Sequence, residues 1–133
     1  MRVLALDYGS ARCGCALSDP TGTLATPIEH IERPATRKGL ARVVDLVRER
    51  EVGRVVVGLP LGLSGDDTAQ TRETRAWAAT LAERVRPVPV ELYDERFTTA
   101  IAARSRDTRT SEDSRAAAVL LEDWLAVHGG GDA

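Results

Sequence analysis

A chain of 133 residues, 43% of them hydrophobic, suffices for one domain with a real core. Its net charge of −2 does not advertise nucleic-acid binding by the molecule as a whole, and no apolar stretch is long enough to span a membrane. The cysteines are Cys13 and Cys15 alone and the histidines His30 and His128 alone, which leaves little material for thiol, zinc or triad chemistry.

Val3 to Asp7 reads as a first strand, a short apolar run that ends on a carboxylate. Tyr8 to Arg12 is a polar turn, with Gly9 letting the backbone fold back and Gly14 leaving room beside the acid. Cys13 to Leu17 reads as a second strand, hairpinned to the first. Its two cysteines share a face, too close in sequence for a structural disulfide, and read as small apolar fillers. Asp19-Pro20-Thr21-Gly22 is a turn signature. Leu24 to Ile31 suits a third, irregular strand, with Pro27 pointing to an edge.

From Ala35 to about Arg50 the period becomes helical, with Leu40, Val43, Val44, Val47 and Val52 as its stripe and Gly53 as its stop. Val55-Val56-Val57 is a β-branched run of the kind found in buried parallel strands. Thr68 to Val85 reads as a second helix, with Ala69, Trp77, Leu81 and Val85 as core candidates. Val88 to Tyr93 is a fifth strand leading into Asp94-Glu95-Arg96, and a short helix is expected after Thr98. Thr110 or Ser111 can cap a last helix carrying Ala117, Leu120, Leu121, Trp124 and Leu125 inward. Residues 129–133 read as a frayed tail. Three adjacent strands followed by alternating units predict a five-stranded mixed α/β sheet with helices on both faces.

In such sheets strand C-termini gather along one edge, where sites form. Asp7 and Glu95 fall at strand ends and Asp113 opens the last helix. Taken singly, Asp7 could cap its turn, Glu95 could pair with Arg96, and Asp113 could be an ordinary helix-start acid. Together they form an oxygen-rich set suited to Mg²⁺ or Mn²⁺. A pair of such ions about 3.5–4 Å apart can clamp the attacking and leaving oxygens of a phosphodiester. The basic residues are arginine except for Lys38, a bias that genome composition can also produce. Arg96, Arg104, Arg106, Arg109 and Arg115 share a window with few acids, a local basic lip that could position phosphates. Thr98 could donate to phosphate or cap the next helix. Tyr8 and Phe97 could stack on a base, although lone aromatics beside strand ends usually pack.

Four segments in order resemble the motifs of one family. Leu6-Asp7-Tyr8-Gly9-Ser10 with Arg12 and Gly14, Val56-Val57-Gly58-Leu59-Pro60 with Gly65, Asp94-Glu95-Arg96-Phe97-Thr98-Thr99, and Asp113-Ser114 with Ala116-Ala117 and Leu120-Leu121 are similar to those of the YqgF/RuvX family. The resemblance spans nearly the whole chain. It implies an RNase H-like fold over residues 1–128, related to the RuvC resolvases. It also implies a metal-dependent nuclease whose acids map to Asp7, Glu95 and Asp113. The family has been linked to 5′-end maturation of pre-16S ribosomal RNA and to Holliday junction resolution. Two features depart from the family pattern: the stretch between Glu95 and Asp113 is short, and Ala11 stands where a lysine is usual.

The leading expectation is therefore a Mg²⁺- or Mn²⁺-dependent nuclease in the cytoplasm, acting on pre-rRNA or branched DNA. The ribosome and a second copy of the chain are its candidate partners, and no membrane is involved. Arg12, Arg96, Thr98, Arg104, Arg106, Arg109 and Arg115 are the candidate nucleic-acid contacts. Two other functions fit parts of the sequence. The glycine-flanked Asp7 is similar to the phosphate hairpin of the actin and sugar-kinase superfamily, whose members need a second domain to close over ATP, and 133 residues are expected to be too short for one. A non-catalytic ribosome-assembly module would also suit the near-neutral charge.

Overall fold

A computed structural model describes residues 1–94 and 112–128, the side chains of residues 112 and 113 excepted. Five strands form one sheet: β1 (Arg2–Asp7), β2 (Arg12–Ser18), β3 (Ala25–Glu32), β4 (Val52–Leu59) and β5 (Val90–Asp94). Their order is β3-β2-β1-β4-β5. The β1–β2–β3 meander is antiparallel, whereas β4 and β5 add to β1 in parallel. β1, β4 and β5 thus end at one edge of the sheet, and Asp7 and Asp94 are their last residues. β3 lies at the sheet's rim, as Pro27 predicts, with Pro27 opposite Ala16.

Alternation along the strands sorts the core into two layers. Leu4, Leu6, Val55 and Val57 face α1 (Arg37–Glu49) and α2 (Ala69–Arg84). Val3, Ala5, Ala16 and Val56 face α3 (Glu112–His128), which lays Ala117, Leu120, Leu121 and Trp124 on them. Helices therefore cover both faces, and the described core agrees with the mixed α/β expectation. Neither Cys13 nor Cys15 is in a disulfide; both are fully buried in the first layer, where they act as the small fillers expected of them.

The helix starts follow side-chain chemistry. Thr36 caps α1 by accepting from the Gly39 amide at 3.0 Å, a contact of the kind worth about 1 kcal/mol. Thr68 and Thr71 form a reciprocal capping box at the start of α2. Trp77 and Trp124 are core residues with satisfied indoles: Trp77 Nε1 donates to the Pro34 carbonyl, and Trp124 Nε1 to Glu91.

Three local expectations are corrected. α1 ends at Glu49, and the left-handed residue beyond it is Glu51 (φ 53°), not a glycine. Val52 and Gly53 already belong to β4, where Val52 is buried as a strand residue. Ala69 is exposed, while Thr71 and Thr74 take the buried places on α2. Their hydroxyls make this tolerable, because Thr71 Oγ1 donates to the Pro60 carbonyl and Thr74 Oγ1 to that of Gln70. Among the described residues no helix is long and apolar enough to cross a membrane.

Candidate active site

The site is built outward from the end of β1. Asp7 is half-buried and pairs across the hairpin with Gly14 of β2. The turn between them is tight. A Cβ on Gly9 would lie 2.8 Å from the Arg12 carbonyl oxygen, so only glycine lets the chain reverse here without moving backbone. The ring of Tyr8, the residue after Asp7, is fixed by its neighbours: it is buried, lies 4.7 Å from the Trp77 ring centre and donates its hydroxyl to Glu73 at 2.6 Å. Burial, and then the Glu73 carboxylate, push its phenol well above the usual range. Tyr8 is thus a packing residue, which leaves the base-stacking option without support at this position.

α3 is fastened to the same end of the sheet. Ser114 is fully buried, and its Oγ accepts from the Cys15 amide at 3.2 Å. Cys15 adjoins Gly14 and faces Leu6, at the point where the β2–β3 register shifts. The serine hydroxyl thus satisfies a buried strand amide and fixes the first turn of α3 across the sheet from the hairpin. Asp113 is the residue before Ser114 in that turn; its side chain lies outside the described residues.

β5 brings Asp94 to the same edge, opposite Leu59 of β4, while Gly58 pairs with Tyr93 one step back. Tyr93 packs against the α3 layer and donates its hydroxyl to Asp123. That bond first, and burial second, push the Tyr93 phenol up to about 12. Glu91, two residues back along β5, accepts from Arg54 at 2.7 Å and from Trp124 at 2.8 Å. Ser114 enters the sequence reading only as part of the Asp113-Ser114 motif, without a role, and Glu91 and Asp123 are not singled out. Each acts across elements distant in the chain.

The predicted contacts divide accordingly. Arg12 is exposed at the start of β2, immediately past the turn. Arg115 is half-buried in the first turn of α3. Glu95, Arg96, Thr98, Arg104, Arg106 and Arg109 lie outside the described residues, as does the short helix expected after Thr98. Among the described residues no three His, Cys, Asp or Glu side chains gather as a metal site.

This sheet order, with α1 and α2 on one face and α3 on the other among the described residues, is an RNase H-like fold. Over 98% of both chains it is similar, with a TM-score of 0.60 and 16% identity, to a structure described as "T. thermophilus RuvC in complex with Holliday junction substrate". The model of the family described as "RuvX: Holliday junction resolvase" matches residues 1–127, and the chain belongs to that family. Its relatives include a Mycobacterium leprae protein that is 44% identical over 132 residues, covering 93% of this chain and 72% of the relative. A Maridesulfovibrio salexigens protein is 38% identical over 135 residues, covering 95% and 98%. Both carry the name "Putative pre-16S rRNA nuclease". The chain is accordingly a nuclease, a phosphodiester hydrolase.

Proposed function

We propose that the chain cleaves structured nucleic acid with a divalent metal held by Asp7, Glu95 and Asp113, and that its preferred substrate is the 5′ end of pre-16S rRNA. The observation that carries this reading is the Ser114–Cys15 bond. It ties the turn containing Asp113 to the strand position beside Gly14, which is itself paired with Asp7. The donor chemistry fits a hard cation, because carboxylate oxygens suit Mg²⁺ or Mn²⁺. A half-buried aspartate also gains from a cation that offsets its lost hydration. When bound, the metal supplies Lewis-acid stabilisation at the phosphoryl oxygens and an activated water.

The chain's own residues do the rest. Gly9 holds the hairpin closed so that Asp7 stays at the edge of the sheet. Ser114 keeps the start of α3 in place. Arg12 and Arg115, with Arg96, Thr98, Arg104, Arg106 and Arg109, bind and orient backbone phosphates. Residues 1–128 form the nuclease unit.

The substrate preference rests on the names of the relatives. The family's own description favours a second reading, a resolvase acting on four-way DNA. The test is a cleavage assay with Mg²⁺ on precursor rRNA and on four-way junctions, for the wild-type chain and Asp7→Asn. Cleavage of the RNA that falls by roughly a hundredfold or more in the variant supports the proposal. Turnover of junctions alone selects the resolvase. Full activity in Asp7→Asn overturns the metal site.

A further inference from the structure

The geometry points to a second basic surface, assembled from the exit of β3 and the first two turns of α1, that holds the phosphate backbone of the nucleic acid flanking the cut. This inference rests on the nuclease reading above. It involves a part of the chain remote from the arginines between Glu95 and Arg115.

Arg33, Arg37, Lys38 and Arg42 are all exposed. Among the described residues none of the four is in an ion pair, in contrast to Arg54, Arg75 and Arg86, each of which has a carboxylate partner. Arg33, Lys38 and Arg42 line one cleft of about 550 Å³. Lys38 and Arg42 are one helical turn apart and so share a face of α1. Glu29 and Glu32 lie on the β3 side of the cleft, so the unpaired positive charge belongs to the α1 side.

Two features show that this charge is held in place against local preference. α1 has no acid in its first turn and carries Arg37 and Lys38 there, at the helix end where the dipole favours negative charge. Such a terminus, loaded with cations, gains when an anion arrives. Arg33 has φ 44°, a backbone conformation that favours glycine, and its carbonyl is gripped by the Thr36 amide at 3.1 Å and the Thr36 hydroxyl at 2.7 Å. Gly39 then brings α1 against this corner: a Cβ there would lie 2.1 Å from the Arg33 carbonyl oxygen. The corner is rigid, and an arginine occupies its most strained position.

The surface also sits at the right end of the molecule. The Arg33 amide donates to the Ala11 carbonyl at 2.9 Å, inside the hairpin turn that follows Asp7. β3 is two strands from β1, a span of about 10 Å. A nucleic-acid backbone engaged at Asp7 therefore passes the cleft a short distance from the cut. Farther along α1, Asp45 and Glu49 interleave with Arg42 and Arg50 around a neighbouring cleft, so the run of basic residues without an intervening acid is confined to the Asp7 end of the helix.

The test is the salt dependence of binding. A short fluorescent RNA duplex is titrated at several salt concentrations in the Asp7→Asn background, without divalent metal, so that binding is read apart from cleavage. Lys38→Gln/Arg42→Gln removes two cleft charges while keeping good helix formers. The control, Arg48→Gln/Arg84→Gln, removes two exposed arginines from the last turns of α1 and α2, at the opposite end of the sheet. The expected result is a log–log salt slope shallower by about 1 per cleft charge removed, and affinity weaker by roughly tenfold, with the control unchanged. An unchanged slope, or an equal change in the control, overturns the surface. Failure of the metal site reads out separately, as wild-type chain that binds the duplex but shows no Mg²⁺-dependent cleavage.

Discussion

Ser114→Ala isolates the link between α3 and the hairpin. The substitution removes the hydroxyl that accepts from the fully buried Cys15 amide, and losing a buried hydrogen bond costs about 1–3 kcal/mol. For a chain of this length each kcal/mol lowers the melting temperature by roughly 3–5 °C, so a drop of about 3–15 °C is expected. Stability alone would not connect the serine to the site, and Ser18 provides the comparison. Its Oγ accepts from the Val3 amide at 2.8 Å and it is equally enclosed, but it lies at the other end of β2. Ser18→Ala should cost a similar amount of stability, measured by urea unfolding, and leave metal-dependent cleavage near wild type well below its melting point. Ser114→Ala should lose stability and cleavage together, since the turn holding Asp113 is released. A Ser114→Ala protein within about 0.3 kcal/mol of wild type would refute the anchoring argument. Equal activity of the two variants would refute its connection to catalysis.

Gly9→Ala should reduce cleavage and stability together, because its methyl meets the Arg12 carbonyl oxygen at 2.8 Å and the hairpin beside Asp7 must shift; a fully active variant would show that the turn tolerates a side chain. The chain has two tyrosines, so Tyr8→Phe leaves Tyr93 as the sole phenol. Its ultraviolet titration should centre near 12 and move towards 10 in Asp123→Ala. The sign of the linked effect follows from proton counts. Between pH 10 and 12 the unfolded chain has released this proton while the folded chain retains it, so the stabilisation is complete below 10 and declines as pH rises through that window. A Tyr93 phenol titrating near 10 in the folded protein would remove the Asp123 contact from the account.

Periodicity exposed most of the fold because most of the core is regular. The stripe Leu40, Val43, Val44 and Val47 and the run Val55–Val57 are buried as read. The misreadings share a physical origin. Val52 continues the α1 stripe by spacing, but the left-handed Glu51 has already turned the chain into β4. Ala69 looked like core and Thr71 and Thr74 did not, because the carbonyls that satisfy their hydroxyls are apparent only once the chain has folded. At the site, Asp7 was legible as a carboxylate ending an apolar strand. Ser114's role was not, since its partner Cys15 is 99 residues away. The α1 cluster escaped notice because Arg33-Pro34-Ala35-Thr36-Arg37-Lys38 reads as an ordinary loop and helix start. Basic residues in a first turn were the signal available.

The most direct test of the metal centre is a crystal structure of the chain soaked in Mn²⁺ and read by anomalous scattering. The account predicts manganese bonded to carboxylate oxygens of Asp7, Glu95 and Asp113 together. Crystals that take up manganese elsewhere, or none at all with these three carboxylates well apart, would contradict it.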